Sequence, residues 1–144
     1  MSSATTSTVS IAASAEEVRA VLFDIATYPS WSTSFKAVTV LASDGQGRPT
    51  QVSMSVDAGA LKDKPTLNYD WSAYPDRLEF SLEEANVLTE MSGAFIVKDN
   101  GDETEVTFEL TVALSMPVPD IMRTKAEKST IDLALKQLKE KLES

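Results

Sequence analysis

Apolar residues recur at every second position over most of this chain, and at every third or fourth position in two stretches, near the start and at the end. The first period belongs to strands with one buried face, the second to helices with one buried stripe. Val9 and Ile11 predict an opening strand over Thr6–Ala12. Ser14 then starts a helix, and Glu17 three residues later completes a capping box, each side chain serving the other's backbone amide. Val18, Val21, Leu22 and Ile25 form that helix's buried stripe. Tyr28-Pro29-Ser30-Trp31 ends it, because Pro29 disfavours helical geometry at Tyr28.

Hairpins follow. A strand over Phe35–Ala42 meets the turn Asp44-Gly45-Gln46-Gly47, and Val52, Met54 and Val56 alternate with polar residues in the next. Residues 57–65 mix small and charged side chains and predict a mobile loop. Leu67, Tyr69, Trp71 and Ala73 mark another strand, closed by a turn at Tyr74-Pro75-Asp76, and Leu78, Phe80 and Leu82 mark the one after. Leu88–Val97 has two phases. With Leu88 and Ala94 inward, Glu90 and Ser92 also face in; with Met91, Gly93 and Phe95 inward, Glu90 is wet, and the larger Phe95 surface favours this second phase. After Asp99-Asn100-Gly101-Asp102, Val106, Phe108, Leu110, Val112 and Leu114 alternate cleanly. Such strands form an antiparallel sheet with one dry face.

The last stretch supplies a cover. Asp120 caps a helix to about Leu142, with Ile121, Thr124, Lys128, Ile131, Leu135, Leu138 and Leu142 as its stripe, broadened by Leu133 and Ala134. Asp132–Lys136 and Lys136–Glu140 are spaced to pair on its outside. The fold class is therefore α+β: one domain over residues 1–144, frayed at 1–4, its curved antiparallel sheet wrapped around a long C-terminal helix. Strands arriving as hairpins argue against a doubly wound sheet.

Composition narrows the chemistry. The 144 residues include no cysteine and no histidine, which excludes disulfides, thiol catalysis, Cys/His zinc sites and imidazole bases. Neither a cofactor nor a metal site is expected. The Gly-containing turns fit neither phosphate-loop nor calcium-loop spacing. A net charge of -9 disfavours nucleic acid as a partner. No apolar run spans a bilayer, and the Ser/Thr-rich start lacks the features of a signal peptide, so no stable membrane insertion and a cytoplasmic location are expected.

This element order, with Ala15-Glu16-Glu17-Val18, Asp24 and Tyr28-Pro29-Ser30-Trp31, resembles the START-like helix-grip superfamily over about residues 5–142. The closer likeness is to its polyketide cyclase/dehydrase and lipid-transport branch, which includes coenzyme Q-binding-like proteins. The resemblance implies an internal apolar cavity with a mouth near the intervening loops. Members range from ligand carriers to cyclases, so fold alone does not decide function. The chain departs from catalytic members in having no His and only four Arg, at positions 19, 48, 77 and 123, and no catalytic set can be matched onto it.

Binding of a lipid-like or polyketide-like molecule is the leading expectation. The candidate ligand residues are Trp31, Met54, Tyr69, Trp71, Phe80, Phe95, Phe108, Ile121, Met122 and Lys128. Tyr69 and Trp71 are preferred among the aromatics; Ile121 and Met122 lie where the resemblance places the cavity. Lys128 interrupts the dry stripe, and its ammonium either meets a polar ligand head or snorkels outward. Ordinary core packing competes for each aromatic and methionine. The alternatives are a cyclase, dehydratase or hydrolase, requiring a polar pair among Tyr69, Glu90 and Lys128 inside the pocket, and an interaction scaffold with a nearly filled interior and an exposed apolar patch. A solid core would overturn the ligand-binding expectation. Monomer and homodimer stay equally open.

Overall fold

The computed structural model describes residues 4–58, 61–116 and 118–143. The chain runs through β1 (Thr5–Ile11), α1 (Ala15–Leu22), a 3-10 turn (Ile25–Ser30), β2 (Phe35–Ser43), β3 (Pro49–Ala58), β4 (Leu61–Asp63), β5 (Thr66–Asp70), β6 (Arg77–Glu84), β7 (Leu88–Asp99), β8 (Thr104–Leu114) and α2 (Asp120–Glu143). The strands form one antiparallel sheet in the order β1-β8-β7-β6-β5-β3-β2, with β4 paired only to β3. Long α2 packs against the β1–β8 side of this sheet, so the expected helix-grip architecture is the one observed.

Local chemistry explains the elements. The Glu17 amide donates to Ser14 Oγ and the Ser14 amide to Glu17 Oε1, the predicted capping box. On β8, Thr104, Val106, Phe108, Leu110 and Val112 are buried, alternating with half-buried residues. On β7, Met91, Phe95 and Val97 are buried and Glu90 is exposed, which settles the strand's phase. A register shift between Leu88 and Glu90 lets Leu88 be buried as well. Gly93 has no substitute: a Cβ there would stand 2.0 Å from the Glu109 carbonyl oxygen and 3.0 Å from the Phe80 ring.

Three expectations are corrected. First, 57–65 is not an open loop. β3 continues to Ala58, and β4 folds back on it with Val56 opposite Asp63 and Asp57 opposite Lys62; Gly59 and Ala60 lie outside the described residues. The anchor is Asp63, a buried carboxylate that accepts four backbone N–H groups, from Lys64, Asn86, Val87 and Leu88, at 2.7–3.1 Å. Burial opposes its ionisation, but the four amides outweigh that and hold its carboxyl below the usual range.

Second, β5 ends at Asp70, so Trp71 and Ala73 belong to the following turn, where Asp70 Oδ1 takes the Ser72 amide. Third, the stripe of α2 is displaced in its first half. Ile131, Ala134, Leu135 and Leu138 are buried as expected, but Ile121, Thr124 and Lys128 are exposed. Four-residue steps back from Ile131 reach Glu127 and Arg123, and these face the sheet instead. Asp132 pairs with Lys128 rather than Lys136.

Candidate ligand site

Side chains from six strands converge with the 3-10 turn on one aromatic interior. Its walls are Tyr28 from the turn, Phe35 at the start of β2, Met54 from β3, Leu67 and Tyr69 from β5, Phe80 from β6, Met91 and Phe95 from β7, and Phe108 from β8. Alternation puts these side chains on one face, and sheet curvature makes that face concave. The rings form a continuous network: Phe95 and Phe108 stack at 4.2 Å between centroids, Tyr69 meets Phe80 at 5.9 Å, and Tyr28 meets Phe95 at 6.4 Å.

The space left between them is about 10 Å³. That is room for about one water, against the several hundred Å³ of an ordinary ligand pocket. The expected cavity is thus largely filled by its own walls.

The polar side-chain atoms of this lining are two phenols. Tyr28 Oη donates to the Leu22 carbonyl at 2.8 Å. Burial pushes its pKa well above the usual tyrosine value, helped by Tyr69 and Asp24, and burial raises that of Tyr69 too. Both stay protonated at neutral pH, able to donate a hydrogen bond and unsuited to act as bases. Among the described residues no three of His, Cys, Asp and Glu are grouped to hold a metal.

Of the sequence candidates, Met54, Tyr69, Phe80, Phe95 and Phe108 line this interior. Trp31 is buried behind it, edge-on to Tyr28 at 5.2 Å. Its Nε1 and the nearby Ser34 Oγ are buried side-chain atoms without a hydrogen-bond partner. The remaining four do not reach the interior. Trp71 packs with Phe23, Tyr74 and Arg48 on an outer groove, its indole N–H donating to the Pro49 carbonyl. Ile121 and Met122 are 79% and 60% exposed, because the helix phase turns them away from the sheet. Lys128 points outward, its ammonium bonded to Ser7 Oγ and Asp132.

Sequence reasoning left Tyr28, Phe35, Leu67 and Met91 out of the site. Two signals were present: Leu67 shares a strand face with Tyr69, and Met91 shares one with Phe95. It also passed over Glu127, which is 1% exposed on α2. Its Oε1 accepts from Thr5 Oγ1 at 2.5 Å, and its Oε2 accepts from the Val112 amide at 2.7 Å and from Arg123 at 2.9 Å. Pairing with β1 begins at Thr5 opposite Leu110, so Glu127 satisfies a β8 amide beyond β1's reach.

The family model for polyketide cyclase / dehydrase and lipid transport matches residues 3–143. No curated protein matches the chain. Among solved structures, a START superfamily protein from Mycobacterium smegmatis is 26% identical, with a TM-score of 0.92 over 99% of this chain and 98% of that one. The Zhui aromatase/cyclase from Streptomyces sp. R1128 is 18% identical, with a TM-score of 0.73 over 97% and 93% of the two chains. The di-domain aromatase/cyclase BexL is also 18% identical, with a TM-score of 0.76, and this chain spans 46% of its length. At 18% identity those two show a shared fold. With nearly its whole length matched and the helix-grip architecture in place, the chain belongs to the polyketide cyclase/dehydrase and lipid-transport family.

Proposed function

We propose that this protein binds a hydrophobic, ring-containing small molecule, lipid-like or polyketide-like, among the aromatic side chains of its interior. The observation that carries this reading is the convergence of nine apolar or phenolic side chains on one concave face, in a family described by polyketide and lipid substrates. Burying 300 Å² of apolar ligand surface is worth about 7 kcal/mol before association costs, so no charged centre is required. Tyr69 is the ligand's hydrogen-bond donor in this reading, since the Tyr28 hydroxyl is committed to Leu22. With walls that nearly touch, the pocket must open to load, and Met54 and Met91 are the most deformable parts of its lining. Binding without turnover is favoured because this lining contains no carboxylate or amine to serve as a base.

One pair of observations favours a second reading, an interaction protein without a small ligand. The interior is nearly filled, and Met116, Ile121 and Met122 are exposed close together in sequence. Native mass spectrometry of gently purified protein, beside the same sample denatured, separates the two. The binding reading expects a reproducible extra mass of an apolar compound that denaturation removes. A clean apo mass, with none gained on incubation with aromatic and acyl ligands, would reject it in favour of the second.

A further inference from the structure

The outer groove that holds Trp71 is separate from the aromatic interior, and no residue lines both. Its walls come from α1 and the residues just after it, from the β2–β3 turn and from the β5–β6 turn. Its volume, about 700 Å³, is that of an ordinary small-molecule site. Two of the chain's four arginines, Arg19 and Arg48, line it, in a protein of net charge -9.

The turn Asp44-Gly45-Gln46-Gly47 positions Arg48. Asp44 Oδ1 accepts the Arg48 and Gln46 amides at 3.0 and 2.8 Å, and these bonds hold its carboxyl below the usual range. Its other oxygen stands 3.6 Å from Arg48 Nε, and Gln46 Oε1 accepts from Arg48 Nη2. The guanidinium then lies over two rings, 5.7 Å from the Trp71 centroid and 5.2 Å from that of Tyr74. Arg19 is fixed in the same manner. Its Nε donates to the Pro75 carbonyl at 2.9 Å, and its Nη2 stands 3.6 Å from Asp76.

Both guanidinium groups are thus oriented in advance, and each keeps Nη1 without a hydrogen-bond partner among the described residues. Their side chains are only 22% and 27% exposed, so water screens them less than it does a surface charge. Beside them is ring surface: Phe23, Trp71 and Tyr74 lie 5.7–6.1 Å apart, and Tyr74 is exposed. Asp24 also lines the groove, an exposed carboxylate with no bonded partner among the described residues. It opposes a second negative charge on anything bound there.

We propose that this groove is a second ligand site, for a small aromatic monocarboxylate. The ligand's ring packs against Trp71 and Tyr74, and its carboxylate accepts from Arg48 and Arg19. Guanidinium groups suit this task, because their fixed N–H directions match a planar oxyanion. Asp44 and Asp76 offset much of the guanidinium charge, so directed hydrogen bonds rather than a broad positive field select the ligand. The site does not depend on what the interior binds.

The test is titration of 15N-labelled full-length protein with 2-naphthoate, followed by NMR at its two indole N–H groups. Trp71 belongs to the groove, whereas Trp31 packs against Tyr28 of the interior. The Trp71 signal should shift and saturate, with a Kd below about 5 mM, while the Trp31 signal stays in place. Arg48→Gln and Arg19→Gln should each weaken binding about tenfold, the loss of one charge-assisted hydrogen bond. Neither should change the Kd of the neutral 2-naphthalenemethanol by more than about twofold. Arg19 stacks on no ring, so Arg19→Gln decides the matter should Arg48→Gln disturb Trp71 and Tyr74. Naphthalene-2,6-dicarboxylate should bind more weakly than 2-naphthoate, and Asp24→Asn should narrow that gap. A saturable shift at Trp31 alone, or no saturable shift at Trp71, would overturn the site. Full affinity for 2-naphthoate in Arg19→Gln and Arg48→Gln would overturn carboxylate recognition, and equal binding of the dicarboxylate would overturn the limit to one charge.

Discussion

The two halves of α2 have the same secondary structure and different reasons for being where they are. From Ile131 onward, the helix is held by burial of Ile131, Ala134, Leu135 and Leu138 against the sheet. Before Thr130 it is held by polar contacts: the buried Glu127 carboxylate, which accepts from the Val112 amide and from Thr5, and an exposed bond from Lys128 to Ser7. Apolar burial is non-directional and lost only by separation from the core, whereas a hydrogen-bonded clasp can be exchanged for water. A single helix can thus be held by apolar burial at one end and by directional hydrogen bonds at the other.

Mutations in the two halves should separate sharply. Leu135→Ala removes a fully packed side chain and should lower unfolding stability by about 2–5 kcal/mol, measured by urea denaturation. Similar losses from an exposed first-half change would break the comparison. Gly93→Ala, on β7 against Phe80, should cost about 1–3 kcal/mol, because the added methyl meets a backbone oxygen that cannot move aside. Asp63→Asn should cost about 1–3 kcal/mol by the same assay, since an amide cannot accept all the N–H groups that the carboxylate takes.

This last effect also has a pH signature. The Asp63 carboxyl is held below its unfolded value, so its contribution is complete above about pH 4 and is lost as pH falls through the folded pKa. The gap between wild type and Asp63→Asn should be constant from pH 7 to 5 and narrow toward pH 3. A gap that widened on acidification would contradict this assignment. The smallest effect belongs to Ile121→Ser and Met122→Ser, expected within about 0.5 kcal/mol of wild type because neither side chain is covered. A loss above 1 kcal/mol would mean that the first half packs after all.

The sheet was legible in the sequence because alternation is a local signal: Leu78 and Phe80 on β6, and Val106 through Val112 on β8, face inward as read. The Ser14–Glu17 cap was legible for the same reason. What escaped were contacts between residues far apart. Asp63 between Lys62 and Lys64 reads as loop, and only its fold-back onto the amides of 86–88 makes it an anchor. Glu127 reads as a wet residue until the unpaired Val112 amide is known. In the first half of α2, the apolar Ile121 drew the stripe to the wrong face, because a polar clasp carries no hydrophobic period. Trp71 misled because alternation continued past Asp70, where the strand had already ended.

The central claim, ligand binding in the aromatic interior, is tested most directly by the methionine methyl groups. Met54 and Met91 line the interior, while Met116 and Met122 are exposed. Protein labelled with 13C at the methionine methyls would be titrated with 8-anilinonaphthalene-1-sulfonate and followed by NMR. The account predicts that the Met54 and Met91 signals shift together and saturate with one Kd. Shifts confined to Met116 and Met122, or no saturable shift at Met54 and Met91, would contradict it.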